Sequence, residues 1–365
     1  MEYSRILIAP DKFKGSLTAP EVCEIIAEEL LHACPRSTII RCPLADGGEG
    51  SLDCYAASTG ARIIKGAFTD PDFRKTTAAY ALQGKTAFIE TAQTAGLTKT
   101  DIKNPVYTTT YGVGEQIKAA AAAGAKHIVL AMGGSATNDA GCGMAAALGW
   151  KFLNGNGEEF IPVGGTLKDV ARITPPEYSA DINVTALCDV RNTLYGPDGA
   201  AYVYAAQKGA SMREILLLDD GLRHINALFE QNGRDYSAFG GAGAAGGLGA
   251  GADYFLNAEL RSGTETFFSL TAIGDKIAAA DVVISGEGKI DQQSECGKVV
   301  AELYKKCRGK RFAAFCGTSE LHDAPFEIYP VNRKGETLAE SIANTAENLR
   351  AAVRAFAASL TRIYP

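Results

Sequence analysis

Seven carboxylates stand in short, polar, glycine-rich segments: Asp11, Asp46, Glu49, Asp139, Asp189, Glu287 and Asp291. The segments are Pro10–Ser16 (PDKFKGS), Ala45–Gly50 (ADGGEG), Gly133–Asp139 (GGSATND), Cys188–Asn192 (CDVRN) and Ser285–Asp291 (SGEGKID). One such acid alone is an ordinary solvated loop residue; seven in five similar segments call for a common chemistry. One or two carboxylates suffice to hold Mg²⁺, which keeps several waters and bridges substrate phosphates. A further carboxylate can accept the proton of an attacking hydroxyl. Lys12, Lys14 and Lys289 are the matching cations. In the third segment, Gly133 and Gly134 let backbone approach an anion closely, and Ser135, Thr137 and Asn138 add polar side chains. A helix starting directly after this turn would add its positive end. Charge neutralisation plus positioning, with little covalent chemistry, is what phosphoryl transfer requires.

Each segment must be held by something, and each follows a strand-like run. Arg5–Ala9 (RILIA), Thr38–Leu44, Lys126–Met132, Asn183–Asp189 and Asp281–Ser285 are the strands that precede the five segments. Thr18-Ala-Pro-Glu21 predicts a capping box opening a helix that Pro35 stops, with Val22, Ile25, Ile26, Leu30 and Leu31 at helical spacing. Glu49–Thr59 reads as a second helix, ended by Gly60. At the far end, helices over Ser269–Ala280, Glu295–Cys307 and Thr337–Leu360 alternate with strands over Asp281–Ser285, Arg311–Cys316 and Glu327–Val331. The last helix shows an apolar face of Leu338, Ile342, Leu349, Val353 and Phe356. The middle contributes a hairpin, Thr76–Leu82 with Thr86–Glu90, and helices over Gly112–Ala123, around Met144–Leu148, and over Met212–Asn232. Strands alternating with helices predict parallel α/β architecture. The simplest arrangement is two α/β domains: one built from both termini (1–66 and 275–365), the other inserted (67–274). The site is expected in the cleft between them, since ligands bind outside the carboxyl ends of the strands of open α/β sheets.

Other chemistries find less support. Gly241–Gly246 (GAGAAG) matches a dinucleotide fingerprint, the basis for a nicotinamide-dependent hydroxy-acid oxidoreductase, but DYSAFG before it is a poor strand. Close-packed backbone, or a ligand loop acting as hinge or lid, explains the glycines better. No P-loop signature occurs, because Gly297-Lys298 lacks the upstream glycine and the following Ser or Thr. None of the four histidines stands in a glycine-rich segment beside a Cys or Ser. Nine cysteines with no C-x-x-C are expected as reduced thiols in small apolar slots of a cytoplasmic protein, not as zinc ligands or disulfides. Lys plus Arg number 36 and Asp plus Glu 42, a net charge of −6 without charge blocks, which leaves no footprint for nucleic acid. No apolar run reaches the roughly 18 residues of a membrane span, and the N-terminus lacks a signal-peptide pattern. The oligomeric state is not readable.

The five segments, with QKGA (207–210) and GAGAAGGLGA (241–250), resemble the type-1 glycerate kinase family. The matched motifs are APDKFKGSL (9–17), ADGGEG (45–50), GGSATND (133–139), CDV-x-N (188–192) and SGEGKID-x-QS (285–294), in order across nearly the whole chain. The resemblance implies ATP- and Mg²⁺-dependent phosphorylation of glycerate to 2- or 3-phosphoglycerate. It also implies a flavodoxin-like domain from both termini with a second α/β domain inserted. Lys12, Arg191, Thr193, Ala206, Ala140 and Val300 depart from the family pattern, and Lys12 and Arg191 add positive charge that suits a carboxylate substrate. The site expectations are then these. Asp11, Lys12, Lys14, Arg191 and Asn192 bind glycerate. Gly133, Gly134, Ser135, Thr137 and Asn138, with Gly286, Glu287 and Gly288, bind ATP. Asp46, Glu287 and Asp291 hold Mg²⁺. Asp46, Asp189, Asp291 and Lys14 form the catalytic group. A sensor that binds glycerate or a nucleotide without turnover would be expected to have lost several of these acids.

Overall fold

RILI at Arg5–Ile8 carries three consecutive apolar residues, and it becomes an inner strand of a five-stranded sheet, between Thr38–Arg41 and Val282–Ile290. The computed structural model describes residues 5–177, 181–290, 299–307, 309–321 and 323–361. The chain divides into two units: 1–46, 53–60 and 264–365, and 47–52 with 61–263.

In the first unit every strand pairing is parallel. The spatial order is Thr38–Arg41, Arg5–Ile8, Val282–Ile290, Arg311–Ser319, Glu327–Pro330. Counted along this unit, that is 2-1-3-4-5, the flavodoxin-like order. The order reverses between Arg5–Ile8 and Val282–Ile290, so the crevice at their carboxyl ends is the switch point where such sheets bind ligands. The helix Ala19–Ala33 opens with the expected capping box, Thr18 and Glu21 each satisfying the other's backbone. It packs on the long helix Leu338–Thr361, and the buried carboxylate of Glu29 receives Arg354 and Arg350 across that contact. Of the apolar face expected on the long helix, Leu349, Val353 and Phe356 enter the core. Leu338 and Ile342 are exposed, because the first turns of this helix turn Ser341 and Thr345 inward instead. One helix was expected over Ser269–Ala280; the chain instead forms Gly263–Leu270 and Ile273–Ala279, broken where Ala272 adopts φ +49°. The expected helix over Glu295–Cys307 is present as Val299–Lys306, its start lying outside the described residues together with Cys296.

The second unit holds a six-stranded sheet in the order Glu259–Arg261, Asn183–Leu187, His127–Ala131, Thr86–Glu90, Lys75–Gln83, Arg62–Thr69. The first four run parallel and the last two complete an antiparallel edge. The boundary expected near residue 66 falls inside Arg62–Thr69, which pairs along its whole length with Lys75–Gln83 and so lies in the second unit. A small antiparallel sheet of Lys151–Leu153, Glu159–Phe160 and Arg172–Thr174 flanks it. The helix Met212–Glu230 begins with a second capping box, Ser211 with Glu214. Among the described residues no helix is long and apolar enough to cross a membrane. Among the described residues, seven cysteines are buried and Cys188 is half-buried.

Candidate functional site

At the switch point of the first unit, the Pro10–Ser16 segment lies along the third strand. Asp11 N–H donates to Gly286 O at 2.8 Å, and Leu44 N–H donates to Pro10 O at 2.8 Å. The Asp11 carboxyl is pushed up to about 7, first by burial and then by the negative charge of Asp46. Lys12 N–H donates to its Oδ1 at 2.7 Å, and the Lys12 ammonium acts in the same lowering direction without offsetting the burial. Lys14 is exposed on the same segment, as is Asp46 on its own loop.

One expectation needs correction here. Ser285–Ile290 is not a loop after a strand. It is the continuation of the strand, paired residue by residue with Ala314–Ser319. Gly286 and Gly288 are there because neighbours come close: a Cβ on Gly286 would stand 2.7 Å from Phe315 O and 3.3 Å from the Phe13 ring. Glu287 is consequently buried, 7% exposed, opposite Cys316, whose thiol is pushed up to about 12 by burial and by this carboxylate. Asp291, expected as a metal ligand and catalytic acid, lies outside the described residues. Among the described residues no group of three or more His, Cys, Asp or Glu converges to hold a metal.

In the second unit the four parallel strands carry polar groups at their carboxyl ends. These are Glu90, the Gly133–Asp139 segment, Asp189–Asn192 and Ser262-Gly263. Asp189 Oδ1 accepts from Ser262 Oγ at 2.8 Å and Gly263 N–H at 3.0 Å, which holds this exposed carboxylate in place. Asn192 braces its loop: Tyr204 Oη donates to Oδ1 at 2.6 Å, Nδ2 donates to Asp198 O, and its carbonyl receives Gly241 and Gly243 N–H. Arg191 is exposed beside it. Glu90, which sequence reasoning passed over as a strand end, is 1% exposed and receives Gly50 N–H at 3.1 Å and Leu52 N–H at 2.9 Å. It thereby anchors the ADGGEG segment. Gly47 and Gly48 of that segment seat the third one: Gly133 N–H donates to Gly47 O at 3.1 Å, and a Cβ on Gly133 would stand 2.5 Å from Gly48 Cα.

The Gly133–Asp139 turn differs from expectation in its surroundings. No helix starts directly after it; Cys142–Ala147 begins three residues later and is under two turns long. The N–H groups of Gly133 and Ala136 are spent on Gly47 O and Ala95 O. Asp139 is spent too. Its Oδ2 accepts from Thr110 N–H, Thr110 Oγ and Gly143 N–H, its Oδ1 from Gly141 N–H, and burial raises its pKa. It holds the chain, leaving substrate chemistry to the others. What the turn does present is side chains. Thr137 and Asn138 are fully buried, and Thr137 Oγ and both ends of the Asn138 amide make no hydrogen bond within the protein. Buried polar groups are almost always satisfied. Two adjacent residues left unsatisfied mark a place for a ligand or ordered water.

Lys208 completes the turn and was missed as a site residue, although QKGA stood out as a motif. It is fully buried, and its Nζ donates to Ser135 Oγ at 3.0 Å and Thr137 O at 2.8 Å. Burial depresses its pKa to about 7 against a weaker opposing pull from Asp139. The usable signal was a lysine followed by Gly209, whose φ of +100° and approach to Lys103 O admit no side chain.

The Gly241–Gly251 run is buried backbone packing. No strand precedes it, and a Cβ on Gly246 would stand 1.9 Å from Thr137 O, one on Gly251 2.2 Å from Ala140 O. It supports the Thr137–Ala140 chain from behind, which removes both the dinucleotide fingerprint and the hinge or lid.

A family model described as the glycerate kinase family matches residues 6–361. The chain belongs to the glycerate kinase family. Members similar to it include a glycerate kinase of Bacillus cereus, 38% identical with 97% of each chain covered. A glycerate 2-kinase of Escherichia coli K12 is 39% identical over 83% of this chain and 82% of its own. In structure, the crystallised chain described as glycerate kinase 2 from Salmonella typhimurium LT2 superposes with a TM-score of 0.87 at 34% identity, covering 99% of both chains. Of the motifs that carry the resemblance in sequence, APDKFKGSL, ADGGEG, GGSATND and CDV-x-N follow strands, whereas Ser285–Ile290 continues one.

Proposed function

We propose that this protein transfers the γ-phosphoryl group of ATP to a hydroxyl of glycerate, with Mg²⁺ as the accompanying ion. Relatedness to glycerate kinases over nearly the whole chain supports the reaction class. The name of the Escherichia coli relative favours 2-phosphoglycerate as product. Within the structure, the observation that carries the reading is the turn whose buried Thr137 hydroxyl and Asn138 amide lack any protein partner. Phosphate oxygens accept hydrogen bonds, and a buried donor left unmade is worth about 1–3 kcal/mol of binding when it is finally satisfied.

The donor set of the first unit fits Mg²⁺. Asp11 and Asp46 lie close enough for one charge to raise the other's pKa, and Mg²⁺ takes one or two carboxylates plus waters and phosphate rather than an all-protein cage. When bound, the ion neutralises phosphate charge. Lys12, Lys14 and Arg191 attract and orient the glycerate carboxylate. Asp189, held by Ser262 and Gly263, takes the proton of the attacking hydroxyl as its oxygen bonds to phosphorus and the bond to the ADP oxygen breaks.

The test is ADP release from ATP and Mg²⁺ with D-glycerate, coupled to NADH oxidation, beside a control without glycerate. Glycerate-dependent ADP formation is expected, and passing the product through enolase identifies 2-phosphoglycerate. ADP formation indifferent to glycerate overturns the reading. Asp189→Asn is expected to lower kcat by roughly 10²–10⁴-fold, the usual contribution of a positioned base; an unchanged kcat removes it from that role.

A further inference from the structure

Lys208 has no place in the scheme above, yet it is buried directly against the turn and donates to a hydroxyl of it. Its ammonium is a donor only. One N–H goes to Thr137 O at 2.8 Å, a carbonyl that can only accept, and another goes to Ser135 Oγ at 3.0 Å. Ser135 Oγ therefore spends a lone pair on Lys208, and its own proton has to point elsewhere. Ser135 is 5% exposed. The next residues with side-chain donors on the same turn, Thr137 and Asn138, are also buried and unsatisfied by protein. The backbone is built to keep this geometry. Gly209 fixes the turn that carries Lys208 against Lys103, and Gly246 backs the chain at Thr137 and Asn138.

We propose that Lys208 is a positioning residue for nucleotide binding: by donating to Ser135 Oγ and Thr137 O, it aims the Ser135 hydroxyl proton at a phosphate oxygen of ATP held on the Gly133–Asn138 turn. This rests on the assignment of that turn to ATP. A hydroxyl that already accepts from an ammonium is a stronger donor, because hydrogen-bonded chains polarise one another. The anion it meets in turn favours the charged form of Lys208, whose field is otherwise set by burial and by Asp139.

Four variants test it: Lys208→Met, Ser135→Ala, the double variant, and Ser135→Thr, which keeps the hydroxyl. KM for ATP, KM for glycerate and kcat are measured for each, with ADP affinity by titration calorimetry and a thermal melt to establish folding. Lys208→Met and Ser135→Ala are each expected to raise KM for ATP and weaken ADP roughly ten- to hundredfold, the range for a hydrogen bond to a charged group. KM for glycerate should stay within about twofold. The double variant should be no worse than the poorer single one, because the two side chains act as one unit. Ser135→Thr should retain most of the ATP affinity. Effects that multiply in the double variant, or a KM for ATP that Lys208→Met leaves alone, overturn the proposal without touching the assignment of the turn. Non-multiplying effects on glycerate instead of ATP overturn the assignment of the turn to nucleotide, and with it this proposal. If Lys208→Met does not fold, Ser135→Ala against Ser135→Thr decides: equal losses of ATP affinity overturn the proposal.

Discussion

Half-buried Asp11 and buried Lys208 are titratable groups whose pKa values meet near 7 from opposite directions, and they load the fold with opposite pH dependences. Asp11 is raised, so its favourable contribution is complete below its unfolded value near 4 and is lost as pH rises through about 7. Lys208 is lowered, so its unfavourable contribution is complete below about 7 and fades as pH rises toward its unfolded value of 10.5. Each slope is at most about 1.4 kcal/mol per pH unit. Asp11→Asn is therefore expected to be more stable than the parent chain at pH 8, with the gain shrinking toward pH 4. Lys208→Met is expected to be more stable at pH 7, with the gain shrinking toward pH 10. Urea unfolding at the paired pH values checks both, and a pH-independent gain in either variant removes that residue's titration from the account. In the sequence Asp11 was visible as a loop acid. Its partner in repulsion, Asp46, comes from a segment about 35 residues away, so the shifted pKa was not visible. Lys208 was hidden for the same reason: burial is a property of the folded neighbourhood.

At the scale of elements, strands and capped helices were legible because their signals are local. The Thr18–Glu21 capping box and the hairpin of Lys75–Gln83 with Thr86–Glu90 both stand where their residues place them. What misled was the use of glycine as a loop signal. The glycines of Ser285–Gly288 sit in a strand, and those of Gly241–Gly251 line a buried packing surface, because a missing Cβ serves close backbone approach as well as turns. The two uses separate by mutation. Gly246→Ala meets Thr137 O at 1.9 Å in addition to an unfavourable φ of +71°, and is expected to cost more than about 3 kcal/mol and to weaken ADP binding through the displaced turn. Gly233→Ala has a similar φ of +78° with nothing within 4 Å, and is expected to cost about 1–2 kcal/mol with ADP binding unchanged. Denaturant midpoints and ADP titrations of both variants read this directly; equal costs would place the role of Gly246 in conformation alone.

For the whole molecule, the single tryptophan reports on one unit only. Trp150 lies in the second unit against Tyr254 and Phe255. If ADP binds on the Gly133–Asn138 turn, ADP at about a hundred times its Kd should stabilise that unit by about 2.7 kcal/mol and raise the urea midpoint followed by Trp150 fluorescence. An unmoved midpoint under saturating ADP would take the nucleotide off this unit.

The sequence alone determined the α/β class, the insertion of one domain into the other and the family, because periodicity, caps and motif order are carried by neighbours along the chain. Only the tertiary structure decided which polar residues are available for chemistry. Asp139 is consumed by Thr110, Gly141 and Gly143, Thr137 and Asn138 are left unsatisfied, and Lys208 is driven against Ser135. Burial and hydrogen-bond satisfaction depend on residues that meet across tens of positions, and no local pattern encodes who meets whom.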